Sequence, residues 1–341
     1  MPEFLNTVPA AIAIFLVSAA FIVVAGTRLA KIADQLADRT GLGEALTGVF
    51  LLGATTSLPG LVASVSAAVD GRASMAVSNA VGGIAVQTVF LVAADLFCRR
   101  ANLEHAAASL TNLFQGILLM GLLSVALVAG IHPFAESWAI HPASLLLVVG
   151  FLVGQVVASR IREAPMWKPV RTAETREDVP DNDAKELSLS RLWIRFLSLA
   201  AITGLCGWFL ALSGFVMVDQ AGIEEGIVGA LFTAIASSLP ELITSIAAVR
   251  AGAYTLAVSG IIGGNAFDTL FLAAADLGFK EGSIYHAAGQ DEMLMIGITL
   301  TMTSVVCCGL LARQKSGPGN IGWEGFLILG LYTLAIATKF L

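Results

Sequence analysis

Charge is scarce in this chain. Asp, Glu, Lys and Arg make up 13% of its 341 residues, about half the share typical of a soluble globular domain. Apolar residues reach 57%. Such a balance excludes an ordinary soluble protein and a nucleic-acid binder, and identifies an integral membrane protein. Cysteine is equally sparse. Cys98, Cys206, Cys307 and Cys308 show no metal-ligand spacing and sit in or beside apolar runs. They are expected to be small core residues and not a disulfide framework. His105, His132, His141 and His286 fall in loops or at span edges, and none has ligand spacing with another; solvated positions are expected for them. No basic residue precedes Arg28, so the first apolar run lacks the positive leading segment of a secretion signal and reads as a true span.

Ten apolar runs are long enough to cross a bilayer, near residues 6–27, 44–69, 74–97, 107–130, 142–160, 193–217, 225–249, 254–278, 290–312 and 321–339. They are too long and too uniformly apolar for tilted barrel strands, which leaves helices. With the N-terminus outside, all but three of the 19 basic residues fall in inward loops, the exceptions being Arg72, Lys280 and Lys339. The positive-inside rule requires that bias. It predicts both termini outside and the polar stretch 163–190, with Pro165, Pro169 and Pro180, as a cytoplasmic linker. The linker separates a first five-helix repeat, 1–162, from a second, 191–341. Because five is odd, the second repeat enters the membrane from the opposite face. The predicted fold is all-α, ten transmembrane helices in two repeats of inverted topology.

The repeats are visible as sequence. Residues 57–96 and 238–277 align without a gap, with about half their positions identical. The core motifs span 53–97 and 234–278. Each opens on an apolar run interrupted by Ser-Leu-Pro and carries a Gly-Gly pair further on. Paired, interrupted spans in the two halves of a membrane chain point to a transporter's binding site. Pro59 and Pro240 are predicted to break their spans, since each lacks an N–H and clashes with the preceding turn. Backbone freed in this way is tolerated only where protein or a water-filled cavity surrounds it. Thr56 and Ser57 before the first break, and Ser237 and Ser238 before the second, bring hydroxyl oxygens to the same depth. Gly82, Gly83, Gly263 and Gly264 are expected to let another helix approach closely, one helical turn before Gln87 and Asp268.

Glu241 and Asp268 carry the chemistry. Both lie inside apolar spans, where an ionisable group costs several kcal/mol and marks a functional site. Carboxylates, hydroxyls and free carbonyls together form an oxygen-only set suited to hard cations. No Lys, Arg or His falls at matching depth to neutralise them. Asp95 and Asp276, in the shared Ala-Asp-Leu ending, fall near helix ends and are expected at the water interface, with lesser roles.

Two segments, TTSLPGLVAS and ASSLPELITS, followed by GGIAVQ and GGNAFD, resemble the two alpha repeats of the calcium/cation antiporter superfamily, which includes the sodium/calcium exchangers. The likeness covers nearly the whole chain and points to a divergent bacterial branch. It implies ten helices in two inverted halves. It also implies Glu241 as the principal cation ligand, Asp268 as its companion, and oxygens from Ser237, Ser238, Thr56 and Ser57. The first copy departs from the pattern: Gly60 stands where the family has its other glutamate, Gln87 replaces an amide or acid, and Ile84 replaces Asn. Water is expected to fill the space beside Gly60.

The resemblance implies exchange of sodium for calcium in a cell membrane, as in the bacterial inner membrane. Small inorganic cations and the lipid bilayer are then the partners, with no cofactor beyond the transported ions. A cation/proton antiporter on the same scaffold is the alternative, because a carboxyl away from water favours its neutral form. A non-transporting cation sensor is a lesser one. An intramembrane hydrolase using the two carboxyls has little support, since no mid-membrane His or metal-ligand triplet accompanies them.

Overall fold

The fold is taken from a computed structural model, which describes residues 7–40, 53–98, 101–134, 140–170, 172 and 188–340. Most of the expected linker lies outside the described residues. The first half contains α1 (Val8–Thr40), α2 (Leu58–Val69), α3 (Ala73–Asp95), the short α4 (Leu103–Ala106), α5 (Leu110–Ile131) and α6 (Pro142–Glu163). The second half repeats that order: α7 (Leu189–Ala221), α8 (Ala234–Ala251), α9 (Tyr254–Gly278), α10 (Ile284–Ala287), α11 (Gln290–Ala312) and α12 (Trp323–Ala337). Val8 and Leu189, Leu103 and Ile284, and Pro142 and Trp323 each open equivalent helices. They share the 181-residue separation of Gln87 and Asp268. The repeat therefore extends over both halves entire, well beyond the motifs.

Among the described residues, nine helices are long and apolar enough to cross a membrane. The shorter apolar α2 stands where the remaining span is expected, and the start of that span, 44–52, lies outside the described residues. A 22-residue helix such as α5 rises about 33 Å, enough for a hydrocarbon layer of about 30 Å. Large apolar side chains are exposed along α1, α6 and α12, among them Leu16, Phe21, Leu145, Leu152 and Phe326. Such faces suit lipid.

The interior is built by exchange between the halves. α3 packs on α8 while α9 packs on α2; α2 lies along α7 while α8 lies along α1; α1 and α7 pair with each other. Almost every residue of α3 is buried, as expected of a helix that is apolar on all sides. Its contact with the chain before α8 is made through backbone. A Cβ at Gly82 would lie 2.7 Å from the Ala230 Cα, and one at Gly229 only 2.6 Å from the Met75 carbonyl oxygen.

The two helix interruptions differ from expectation. Ser57 separates a turn at 53–56 from α2, with Pro59 in the first turn of α2, where a missing N–H costs nothing. Pro240, however, does not break its helix; α8 runs through it. The irregularity lies earlier, in a π-helical stretch at Val228–Thr233, where the Thr233 hydroxyl donates to the Val228 and Gly229 carbonyls at 3.3 and 3.0 Å. Such widened turns often sit at functional sites.

Other positions also need correction. Asp95 and Asp276 are at helix ends but buried, at 2% and 0% exposure. Each ties the two halves together. Asp95 accepts from Leu103 N–H at 2.6 Å and from the Gly322 N–H ahead of α12. Asp276 accepts from Ile284 N–H at 3.2 Å and from His141 N–H, ahead of α6, at 2.7 Å. His105 and His141 are buried and hydrogen-bonded, not solvated. Lys339 is buried too, 2.6 Å from Glu292; the Glu292 carboxylate also accepts from Ser74 and Ser78. Cys98, Cys206 and Cys307 are buried as expected, while Cys308 is exposed.

Candidate functional site

Where α2, α3, α8 and α9 meet, the hydroxyls of one repeat face the carboxylates of the other. Glu241 follows Pro240 in α8. Pro240 has no N–H to offer the carbonyl one turn back, and its ring packs so tightly on α1 that a Cβ at Gly26 would lie 2.7 Å from it. α8 is thereby held with Glu241 turned inward, at 5% exposure. Neither Glu241 oxygen receives a full hydrogen bond. The Thr56 hydroxyl faces it and lies 3.4 Å from the Gly53 carbonyl.

Asp268 lies on α9 at 1% exposure. Its Oδ2 accepts from Gln87 Nε2 at 2.7 Å, and the same amide reaches Ser238 Oγ at 3.3 Å. Its Oδ1 has no donor, and the Ser57 hydroxyl faces the carboxylate. The two carboxylates are near enough for the charge of Asp268 to act on Glu241. Gly83 and Gly264 do not serve the expected close backbone approach but border the site: Cβ atoms there would meet Asp268 Oδ2 at 3.9 Å and Gln87 Oε1 at 3.6 Å, ordinary contact distances.

The sequence-predicted ligands Glu241, Asp268, Ser238, Gln87, Thr56 and Ser57 thus converge. Ser237 is adjacent, its hydroxyl donating to the Ala234 carbonyl at 3.2 Å and lying beside Gly60. Gly263 does not serve a close backbone approach; the Gln115 side chain fills that side at 3.5 Å. The space beside Gly60 is not open to water either. A Cβ there would lie 2.9 Å from the Phe271 ring and 3.3 Å from Ser237 Oγ.

Sequence reasoning missed three residues. Asn265 Nδ2 donates to Thr88 Oγ1 at 3.2 Å and to the Ile84 carbonyl at 3.3 Å, joining α9 to α3. Asn79 Nδ2 donates to Ser64 Oγ at 2.7 Å and to the Gly60 carbonyl at 3.0 Å, fixing α2 on α3. Phe271 is the third. The contrast of Asn265 with Ile84 in the aligned motifs was a signal for the first; the other two act through contacts that spacing does not reveal.

The electrostatic character of the site is plain. Glu241 Oε1 and Oε2, Asp268 Oδ1, Gln87 Oε1 and Ser57 Oγ are all buried without a hydrogen-bond donor. Orphaned buried oxygens are costly and call for an explanation. Among the described residues, neither carboxylate has a cationic side-chain partner, and no third Asp, Glu, His or Cys completes a transition-metal set. Acceptor oxygens without donors suit a hard cation of low charge.

A profile of the sodium/calcium exchanger protein family matches residues 10–159 and 191–341. The putative antiporter CaxA of Alkalimonas amylolytica is 26% identical over 272 residues, covering 79% of this chain and 81% of the relative. Among solved structures, the sodium-calcium exchanger NCX_Mj superposes with a TM-score of 0.64 at 17% identity, over 97% of this chain and 99% of that one. The H+/Ca2+ exchanger CAX superposes with a TM-score of 0.69 at 11% identity, over 97% and 86%. At such identities the superpositions speak for the fold alone.

Proposed function

Because the chain belongs to the sodium/calcium exchanger protein family, we propose that it is a secondary cation antiporter exchanging calcium for sodium, with the ions bound between Glu241 and Asp268. The observation that carries this reading is the set of buried, donor-free oxygens contributed by both repeats. Two carboxylates supply two negative charges, which match one divalent or two monovalent cations. Hydroxyl and amide oxygens of Ser57 and Gln87 add to the oxygen shell that a hard cation takes.

Alternating access follows from the inverted repeats. α1 and α7 pair with each other; α1 meets Pro240 of α8 at Gly26, and α7 meets Pro59 of α2 at Gly207. Displacing that pair along the remaining helices would open the pocket first to one side and then to the other. A loaded pocket is neutral and able to pass the occluded state; an empty one would carry two unpaired charges through it, at high cost. The distribution of Lys and Arg supports both termini outside, the 163–190 linker in the cytoplasm and, for a bacterial chain, residence in the inner membrane.

A second reading keeps the site and replaces sodium with protons. The carboxylates of Glu241 and Asp268 favour it, because one proton on each removes its charge as a bound cation would. Uptake of radioactive calcium into proteoliposomes separates the two. An outward sodium gradient is expected to drive uptake at constant pH, and Glu241→Gln is expected to remove nearly all of it while the protein stays folded. Uptake driven only by a proton gradient would favour the second reading. Calcium binding without flux would sink both.

A further inference from the structure

The register of the repeats makes Gly60 the counterpart of Glu241, and Gln87 the counterpart of Asp268, at the same 181-residue separation. Both acids belong to the second half. What stands in the first half is not an empty place. The Phe271 ring abuts Gly60, 2.9 Å from where a Cβ would project, with Ser237 Oγ at 3.3 Å on another side. Phe271 is 3% exposed. It stacks edge-on against Phe267 with centroids 6.4 Å apart, and Phe267 does the same against Phe151 at 5.8 Å. Edge-to-face packing of this kind holds ring positions. The other first-half group, Gln87, faces Asp268 as a donor and occupies one of its two carboxylate oxygens.

Within the antiport reading above, on which this rests, we infer that Phe271 seated on Gly60 closes the first-half side of the ion pocket and limits its content to the two charges of Glu241 and Asp268. Phe271 is then a specificity-determining residue. It excludes a further cation without touching the bound one, and each turnover moves one divalent ion against two monovalent charges. A coupling set by two charges is electroneutral, so the calcium flux of the parent protein does not respond to membrane potential.

The experiment measures calcium uptake into proteoliposomes with the potential clamped at several values, together with the sodium dependence of that uptake. The parent is expected to transport independently of potential, with a sodium Hill coefficient no higher than about two, the ceiling set by the number of sites. Gly60→Glu is expected to lose at least about tenfold in uptake, because a side chain there overpacks against a fixed ring. Adding Phe271→Ala to Gly60→Glu is expected to restore uptake and to make it potential-dependent, since the pocket then holds a third carboxylate. If Gly60→Glu does not fold, Phe271→Ala alone carries the test, and its sodium Hill coefficient is expected to exceed that of the parent. Parental transport by Gly60→Glu, or a parent flux that responds to potential, overturns the inference and leaves antiport standing. No calcium flux in the folded parent under either gradient overturns antiport and the inference together.

Discussion

Gln87 donates its side-chain amide to Asp268 across 2.7 Å, and the two residues hold the same position in the two repeats. A pair of equivalent positions has therefore become a donor and an acceptor. The amide holds Oδ2 of Asp268, while Oδ1 receives no hydrogen bond. Gln87→Leu keeps the volume and removes the donor. One more buried carboxylate oxygen is then left bare, at a cost of about 1–3 kcal/mol. Apparent calcium affinity is expected to change by about 5- to 150-fold, read from the calcium dependence of uptake, with the protein still folded. An unchanged calcium dependence would show that the amide does not position Asp268.

Asp276 receives three hydrogen bonds, from His141 N–H, Ser144 Oγ and Ile284 N–H, at 2.7, 2.7 and 3.2 Å. Replacement by Ala strands these donors in a buried place. Asp276→Ala is expected to destabilise the protein by about 2–5 kcal/mol, read as a lower melting temperature in detergent. Asp95→Ala should behave alike, since Asp95 makes the equivalent tie at the other end. A melting temperature within error of the parent would mean that these ties are dispensable.

Much of this architecture was legible in the chain. Helical spans follow from run length, the inverted repeat from two alignable motifs and an odd span count, and Glu241 and Asp268 from the rarity of acids at that depth. What escaped depends on three-dimensional contact. Asp276 looked interfacial because it ends a span, but the short α10 folds back over it and brings His141 from the other half. Pro240 looked like a break, yet α8 runs through it, its ring seated where Gly26 of α1 has no side chain. Gly60 looked like a gap open to water, whereas Phe271, far away in sequence, fills it. Lys339 looked like an exposed end, and Glu292 draws it inside.

Glu104, in α4, sits among carboxylates on the face that also holds Arg313. A Cβ at Gly309 would lie 2.8 Å from the Glu324 side chain and 3.3 Å from that of Glu104. Burial pushes the Glu104 carboxyl well above its usual range, and the charges of Asp95 and Glu324 add to the effect. The folded protein thus keeps a proton that the unfolded chain releases near its ordinary value of 4.5. With more protons bound in the folded state, stability falls as pH rises above that value, until Glu104 itself ionises. Melting temperatures measured from about pH 5 to about pH 8 are expected to decline in the parent and to decline less in Glu104→Gln. Equal slopes in the two proteins would remove Glu104 as the source.

The two proline contacts bear on movement. A Cβ at Gly207 of α7 would overlap the Pro59 carbonyl oxygen, and one at Gly26 of α1 would lie 2.7 Å from the Pro240 ring. The positions are equivalent, yet the obstacles differ: backbone at Gly207, a side-chain ring at Gly26. Backbone cannot step aside without moving α2, and with it Thr56 and Ser57, whereas a pyrrolidine ring can pucker. If the α1–α7 pair slides past the prolines in each cycle, an added methyl obstructs every passage, not only one resting state. Gly207→Ala is therefore expected to lower the rate of calcium uptake more than Gly26→Ala does. The loss should appear in maximal rate, with little change in calcium affinity, because the oxygens of Glu241 and Asp268 stay in place. Uptake kinetics of the two variants, with melting temperature as a check on folding, decide this. Parental rates in Gly207→Ala would place the moving interface elsewhere, away from the contact of α7 with Pro59.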